Sequence, residues 1–384
     1  MWIDRRAVLG SALAISGAAA AAAPGPAAAR GRPAKTAFRR IATEEAFATP
    51  EQMQAMFGAA RTVWNSLDLG LWRAWSRLKP GEANRLHDLL LDLEEARIAE
   101  MDANGVDMHV LSLTSPGVQM LDPDTAVAVA ASANDRLAAV IGRRPDRFCG
   151  LAAFAPQDPR RSVLEMERAI TGLKLNGFIL NSHTGGEYFD NRKFWPMLEA
   201  AEALGKPIYI HPRCPSDLMA EPFRDYGLAA GMAGFHMETS LHATRMILGG
   251  VFDQFPRLQV VLGHMGEGLP YWLYRINHVW ESVTPKGPNR LKTAPEAVFR
   301  RNFIITTSGV NDHKVLRFVI DQLGADRVMW AIDYPYETSA PAVESMDSAP
   351  ISDAEKEQLY HLNAERVFGI PAGGRERVRA LSPA

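Results

Sequence analysis

The sequence predicts an α/β protein folded as a (β/α)8 barrel, in which eight parallel strands are surrounded by helices. From about residue 38, short apolar runs alternate eight times with stretches of helical periodicity. The apolar runs are nearly continuous, which is typical of parallel strands buried on both faces. Eight such pairs favour a closed barrel over the alternative, an open doubly wound sheet. The first strand is not followed by GxGxxG, which disfavours the nucleotide-binding form of that alternative.

Each predicted strand is a short apolar run, and each is paired with a helix. The strands are 41–43, 108–113, 148–154, 178–181, 207–211, 258–262, 303–306 and 328–333. The helices are 89–104, 125–141, 162–172, 194–204, 240–252, 271–280, 315–323 and 353–368. Asp88 and Asp124 are the predicted N-caps of the first two helices, and Gly105 follows the end of the first.

Residues 1–30 differ in composition from the rest of the chain. Arg5 and Arg6 precede an uncharged, alanine-rich run over 7–23, and residues 27–29 offer a small-residue cleavage site. The paired arginines are typical of a twin-arginine export signal. A membrane anchor is the alternative, although the run is short and weakly apolar for a span. We therefore expect a signal peptide over 1–30, a barrel over 31–384, and export to the periplasm. The protein would be cytoplasmic if the signal is not used.

Charge and cysteine content exclude several classes of function. The formal net charge is −2, which gives no electrostatic basis for binding nucleic acid or an anionic membrane surface. Cys149 and Cys214 do not have the spacing of a thiolate metal site. A disulfide between them stays open at this stage, although buried thiols are the commoner outcome.

Two predicted connections are longer than the others. Residues 48–82 follow the first strand and contain three tryptophans, and residues 212–239 follow the fifth. In a barrel, the loops after the strands lie on the catalytic face, so both connections could roof a pocket. Their aromatic residues could equally pack against the barrel or against a second subunit.

Side chains suited to metal binding stand at the ends of four predicted strands. Glu44 ends the first strand, His211 the fifth and Asp333 the eighth, while His264 follows the sixth. The carboxyl ends of the strands meet at one rim of a parallel barrel, so these groups converge. Carboxylate and imidazole suit Zn²⁺ or Mn²⁺. Asp333 also lies in an apolar strand and needs a compensating positive charge, which a metal ion supplies.

The residues around these positions resemble one family. The segments are TEEAF at 43–47, HPR at 211–213, GHMGE at 263–267 and DYPYE at 333–337, supported by 111–119, 181–184 and 363–366. Together they resemble the amidohydrolase-2 group, which contains the γ-resorcylate, 2,3-dihydroxybenzoate and aminocarboxymuconate-semialdehyde decarboxylases. The resemblance extends from about residue 40 to residue 370. Each segment is weakly specific alone, but their order and spacing are characteristic.

The resemblance implies one bound divalent metal ion. Glu44, His211 and Asp333 correspond to ligands, and the ion would be Zn²⁺ or Mn²⁺. Ala46 is a departure, because the family often has a histidine at that position. Its absence is compatible with weaker metal binding or with an open position for substrate. The end of the fourth strand has no bridging lysine, which favours one metal over two.

The resemblance also implies roles in catalysis. His264 corresponds to a catalytic imidazole, Glu267 to its partner and Arg275 to a residue that binds the substrate carboxylate. Asp333 would additionally be the catalytic acid. A surface ion pair on a helix is the alternative interpretation of Glu267 and Arg275.

The function implied is metal-dependent, non-oxidative decarboxylation of a hydroxylated aromatic acid. The expected partner is a small aromatic carboxylate, and we expect a homo-oligomer. The chief alternative is hydrolysis of an ester, lactone or amide by a metal-bound hydroxide. A non-catalytic metal- or ligand-binding barrel is a third hypothesis.

Overall fold

A computed structural model describes residues 38–79, 82–283 and 291–372, so the predicted signal peptide lies outside the described residues. Eight strands form one sheet in the order β1 to β8, and all seven neighbouring pairs are parallel. They are β1 Ile41–Phe47, β2 Met108–Leu113, β3 Phe148–Ala153, β4 Gly177–Asn181, β5 Ile208–His211, β6 Val260–Leu262, β7 Phe303–Thr306 and β8 Val328–Met329.

The first and last strands approach each other and nearly close the barrel. The backbone nitrogens of Thr43 and Ala46 donate to the carbonyl oxygens of Trp330 and Tyr334, at 3.2 and 2.7 Å. The predicted (β/α)8 barrel is therefore confirmed. Strand β8 is shorter than predicted, because its ladder with β7 ends at Met329.

The helices surround the sheet. They are α1 Pro50–Thr62, α2 Gly70–Trp75, α3 Arg85–Leu91, α4 Glu95–Asn104, α5 Pro123–Arg143, α6 Pro159–Thr171, α7 Trp195–Ala203, α8 Gly234–Leu248, α9 Val251–Gln254, α10 Leu269–Val283, α11 Pro295–Asn302, α12 His313–Leu323, α13 Ser339–Ser348, α14 Asp353–Glu357 and α15 Asn363–Phe368. Among the described residues, none of the helices combines the length and the apolar character needed to cross a membrane.

The prediction for the first helix was wrong in one respect. The expected helix 89–104 is divided into α3 and α4, because Asp92 accepts hydrogen bonds from the backbone nitrogens of Glu94 and Ala96 at 3.0 and 3.1 Å. These bonds satisfy backbone N–H groups at the start of α4, so a new helix begins there. The N-caps also differ: Asn84 caps α3 and Asp122 caps α5, instead of Asp88 and Asp124.

The connection over 48–82 is more ordered than its composition indicated. Thr49 accepts a hydrogen bond from the backbone nitrogen of Gln52, and Pro50 occupies the first turn, so α1 begins there. Met53, Met56 and Ala60 bury one face of α1 with helical spacing. Trp72 and Trp75 are buried, whereas Trp64 is exposed.

Both long connections meet at the carboxyl ends of the strands. Asp68 accepts two hydrogen bonds from the guanidinium of Arg213, at 2.6 and 3.1 Å, and a third from the backbone nitrogen of Cys214 at 3.0 Å. This ion pair is almost completely buried. Cys149 and Cys214 are free and buried, so the disulfide left open by the sequence is not formed.

Candidate active site

Glu44 lies on β1, and the side chain of this residue is held from one side. Its Oε2 atom accepts hydrogen bonds from the hydroxyl groups of Tyr209, Ser308 and Thr306, the last at 2.9 Å. Its Oε1 atom is buried and has no hydrogen-bond partner within the described part of the chain. A buried, unsatisfied carboxylate oxygen is costly unless a positive charge or a donor approaches it. Oε1 is therefore the carboxylate oxygen that is available to a positive charge or a donor.

His211 and Asp333 present their own ligand atoms to the same space. Nε2 of His211 lies 3.5 Å from Oε1 of Glu44. Nδ1 of His211 lies 2.8 Å from the carbonyl oxygen of Pro212, so Nδ1 carries the proton and donates it, leaving the Nε2 lone pair free. The ligand atoms of Glu44, His211 and Asp333 all lie within 4.8 Å of one another. These three predicted ligands do converge, and the donor set fits a divalent ion.

Gly263 leaves room for the Glu44 carboxylate. A Cβ atom built on Gly263 would lie 2.7 Å from Oε2 and 2.8 Å from Oε1 of Glu44. Both distances are shorter than real Cβ contacts, so any other residue would displace the carboxylate. The glycine that follows β6 therefore leaves the space that the carboxylate of Glu44 on β1 occupies.

Asp333 lies beyond the regular part of β8, in an unusual backbone conformation. Its φ angle is 76°, in the left-handed region that few residues other than glycine and asparagine or aspartate adopt. Glu45 is completely buried and accepts hydrogen bonds from the backbone nitrogens of Ile332 and Tyr334, at 3.0 and 2.9 Å. The carboxyl group of Glu45 thus bridges the backbone nitrogens of the residues before and after Asp333.

The two ligand carboxylates have different pKa values. Burial raises the pKa of Glu44, but the imidazoles of His264 and His211 and the hydroxyl donors outweigh burial and lower its pKa overall. Burial raises the pKa of Asp333, and the negative charge of Glu44 raises it further, against the effect of His264. Asp333 is thus the carboxyl of the pair that more readily holds a proton.

His264 is oriented by two carboxyl groups. Its Nδ1 atom lies 2.8 Å from Oε1 of Glu267, and its Nε2 atom lies 3.5 Å from Oδ2 of Asp333. The backbone nitrogen of His264 donates to Oγ of Ser308 at 3.0 Å, and His264 and Glu267 both have positive φ angles. Burial lowers the pKa of His264, but the charges of Glu267 and Glu44 and the contact with Asp333 raise it well above its usual value.

Comparison with known proteins identifies the family. The sequence profile described as amidohydrolase matches residues 75–370. The chain belongs to the amidohydrolase family. A γ-resorcylate decarboxylase of Polaromonas sp. is 34% identical to this amidohydrolase over 341 residues, which cover 86% of the chain and 98% of the relative.

Solved structures of decarboxylases have the same fold. The 5-carboxyvanillate decarboxylase of Sphingomonas paucimobilis has a TM-score of 0.83 and 48% identity, covering 87% of this amidohydrolase and 99% of that chain. A 5-carboxyvanillate decarboxylase of Novosphingobium aromaticivorans, complexed with manganese and 4-hydroxy-3-methoxy-5-nitrobenzoic acid, has a TM-score of 0.82 and 40% identity. It covers 86% of this amidohydrolase and 96% of that chain.

Several residues of the site were not predicted from the sequence. Tyr209 could have been found, because it precedes His211 by two positions on β5 and so points to the same side of the sheet. Thr306 and Ser308 contact a residue that is distant in the sequence, and no motif marked them. Glu45 lies in the segment 43–47, but no role was predicted for it.

Arg275 is placed differently from the other predicted site residues. It lies on an exposed part of α10. Within the described residues, no hydrogen bond or ion pair joins its side chain to Glu44, Asp333 or His264. The role of Arg275 in binding a substrate carboxylate therefore stays a prediction for this amidohydrolase.

A cavity of about 480 Å³ opens on the same face of the barrel. Its lining includes Ser66 and Asp68 from the connection after β1, Arg213 and Leu218 from the connection after β5, and His183 after β4. The prediction that the two long connections could roof a pocket is thus confirmed. A cavity of this volume accommodates a small organic molecule.

Proposed function

We propose that this amidohydrolase is a metal-dependent, non-oxidative decarboxylase of a hydroxylated aromatic carboxylic acid. One observation carries the proposal: an unsatisfied carboxylate oxygen of Glu44 converges with His211 and Asp333, and His264 contacts Asp333 from the side. Relatives that share most of the chain decarboxylate γ-resorcylate and 5-carboxyvanillate. Both substrates are phenols with a carboxylate beside the hydroxyl group, and this is the substrate class we propose.

We infer that Glu44, His211 and Asp333 would hold one divalent ion. Manganese is the preferred candidate over zinc, because relatives have been solved with bound manganese and because the donor set contains no thiolate. When bound, the ion supplies positive charge that stabilises negative charge developing on the oxygen atoms of the substrate.

The residues of the chain account for the movement of the proton. In this proposal Asp333 donates its proton to the ring carbon that bears the carboxylate. The bond between that carbon and the carboxylate then breaks, its electron pair returns to the ring, and CO₂ leaves. Nε2 of His264 lies beside Oδ2 of Asp333 and faces the same space, so His264 stabilises the phenol oxygen during protonation. Glu267 holds the imidazole in place through Nδ1.

The decisive experiment uses the purified protein loaded with Mn²⁺ and a panel of hydroxybenzoates that includes 5-carboxyvanillate and γ-resorcylate. We expect CO₂ release with at least one acid, and incorporation of one solvent deuterium at the carbon that lost the carboxylate. A parallel panel of esters, lactones and amides tests the hydrolase alternative. Turnover of that panel without CO₂ release from any hydroxybenzoate would replace the decarboxylase proposal. Absence of turnover on both panels would favour the non-catalytic barrel.

We also propose that the protein is exported and that it forms a homo-oligomer. Export is supported by Arg5 and Arg6 before an apolar run. Replacing both by lysine should retain the precursor in the cytoplasm.

Self-association is supported by the exposed aromatic side chains of Tyr271, Trp272 and Tyr274 on α10, because large exposed apolar residues on one helix are typical of interfaces. Light scattering of the purified protein tests it.

A further inference from the structure

Glu45 is a buried carboxylate that neither binds the proposed ion nor faces a solvent channel. It is completely buried, and its two oxygen atoms are used separately. Oε1 accepts the backbone hydrogen of Ile332 at 3.0 Å, and Oε2 accepts that of Tyr334 at 2.9 Å. These two residues flank Asp333 in the chain. One side chain on β1 therefore holds the backbone N–H groups of the two residues that flank Asp333 in the chain.

The segment that Glu45 contacts has lost its regular strand partner. The ladder between β7 and β8 ends at Met329, four residues before Asp333. The backbone of Tyr334 is further fixed by a bond from the nitrogen of Ala46 to its carbonyl oxygen, at 2.7 Å. Asp333 itself has a φ of 76°, a conformation that costs free energy and persists only where the surroundings enforce it. Glu45 and Ala46 supply that enforcement from β1.

The local structure of β1 explains how two consecutive glutamates perform different tasks. The pairing of β1 with β2 shifts by one residue between Ala42 and Glu45, which is a β-bulge. Bulges change the direction of side chains and are frequent beside active sites. Glu44 points towards His211, whereas Glu45 points to the backbone at 332–334.

A second buried residue, Arg97, contacts the chain next to Glu45. Arg97 on α4 is completely buried, and its Nη2 atom donates to the carbonyl oxygen of Ala46 at 2.7 Å. Its guanidinium carbon lies 4.8 Å from the centre of the Tyr334 ring. Arg97 therefore contacts Ala46, which follows Glu45 on β1, and Tyr334, which belongs to the segment that Glu45 holds.

We propose that Glu45 is a positioning residue, which fixes the backbone around Asp333 so that the Asp333 carboxylate points at Glu44 and His211 before any ion binds. The proposal rests on the proposed metal-binding role of Asp333. It predicts that the order of this segment originates in the protein and not in the ion. In this proposal Glu45 orients a metal ligand without itself contacting the ion.

The test compares Mn²⁺ affinity in two variants. Glu45→Gln preserves the size of the side chain but replaces one carboxyl oxygen by an NH₂ group. The backbone N–H that donated to that oxygen then loses its acceptor and faces a second donor. Residues that orient metal ligands typically change affinity 10–100-fold when they are replaced, and we expect a loss of at least about tenfold here. The matched control is Asn363→Leu, because Asn363 is equally buried and holds the carbonyl oxygen of Val328 at the opposite end of β8. Asn363→Leu should lower the melting temperature without weakening Mn²⁺ binding.

Wild-type Mn²⁺ affinity in Glu45→Gln would overturn the proposal. So would an equal loss of Mn²⁺ affinity in Asn363→Leu, when the two variants lower the melting temperature equally. A second measurement needs no variant. Hydrogen exchange of the amides of Ile332 and Tyr334 should be slow in both the metal-free and the Mn²⁺-loaded protein. Fast exchange without metal would show that the ion orders the segment, and this result applies even if Glu45→Gln does not fold. Because both readouts are independent of turnover, failure of the decarboxylase proposal is seen separately, as Mn²⁺ binding without CO₂ release.

Discussion

Nε2 of His264 lies 3.5 Å from Oδ2 of Asp333, on the side of the ring opposite to Glu267. The imidazole therefore lies between the carboxyl group of Glu267, which is not a proposed metal ligand, and that of Asp333, which is one. Glu267 is buried and accepts from Nδ1, which determines which ring nitrogen faces the substrate space. In the proposed mechanism, this arrangement would let His264 stabilise charge in the transition state without itself binding the ion.

Replacing His264 should affect kcat more than KM. In His264→Asn the interaction with the phenol oxygen, which strengthens as the ring is protonated, is lost, so kcat should fall on the order of 10²–10⁴-fold. Glu267→Gln should give a smaller decrease of the same kind, because the imidazole remains but loses its orientation. Steady-state kinetics on the best hydroxybenzoate measure both. His278→Asn, an exposed histidine on α10, is the control. A rise in KM with kcat unchanged would assign His264 to ground-state binding instead.

Metal content depends on Asp333. The wild-type protein should bind about one divalent ion per chain, because three candidate ligand atoms converge and Oε1 of Glu44 has no hydrogen-bond partner among the described residues. Asp333→Asn removes one charged ligand together with the proposed proton donor, so bound metal and decarboxylase activity should both be lost. Elemental analysis after dialysis measures the first. Asp321→Asn, which changes an exposed carboxylate on α12, should retain both. Full activity in metal-free protein would contradict the proposed function.

The hydroxyl groups around Glu44 should control metal affinity. Ser308 donates to Oε2 of Glu44 and accepts from the backbone nitrogen of His264, so it connects the Glu44 carboxylate to the His264 backbone. Ser308→Ala and Thr306→Val should each weaken Mn²⁺ binding about 10–100-fold by releasing the carboxylate. Calorimetric titration of Mn²⁺ provides the measurement, with the exposed Ser348→Ala as control. Unchanged affinity in both variants would show that Gly263 and the barrel wall suffice to hold Glu44.

The sequence predicted the barrel and the convergence of Glu44, His211 and Asp333, because both depend on local signals. Apolar runs marked the strands, and a ligand at the end of a strand needs no tertiary information beyond the parallel order. Glu45 could not be assigned a role in this way. Its partners lie 287 and 289 positions away, and its task depends on a bulge in β1 that leaves no pattern in the sequence. The break between α3 and α4 was missed because Asp92 lies within a run of helical periodicity, whereas its side chain caps the helix that follows.

A further buried carboxyl, that of Glu238, lies away from the proposed metal ligands and predicts how the free energy of unfolding depends on pH. Glu238 on α8 is completely buried and accepts hydrogen bonds from the hydroxyl groups of Ser182 and Tyr188, at 3.3 and 3.1 Å. Burial raises the pKa of Glu238 from 4.5 to about 7, although both hydroxyl donors lower it. The folded protein thus holds a proton that the unfolded chain releases at lower pH. The stabilisation from this group is complete below pH 4.5 and is lost as the pH rises through 7.

Glu238→Gln should remove this dependence, because the amide stays neutral at every pH. The free energy of unfolding of the wild type, relative to the variant, should decrease on the order of 3 kcal/mol between pH 4 and pH 8. Denaturant titrations at several pH values measure the difference, and Glu344→Gln, which changes an exposed glutamate on α13, should follow the wild type throughout. Parallel pH profiles for the wild type and Glu238→Gln would mean that Glu238 is ionised in the folded protein at no net cost. In that case Ser182 and Tyr188 solvate the carboxylate as effectively as water does.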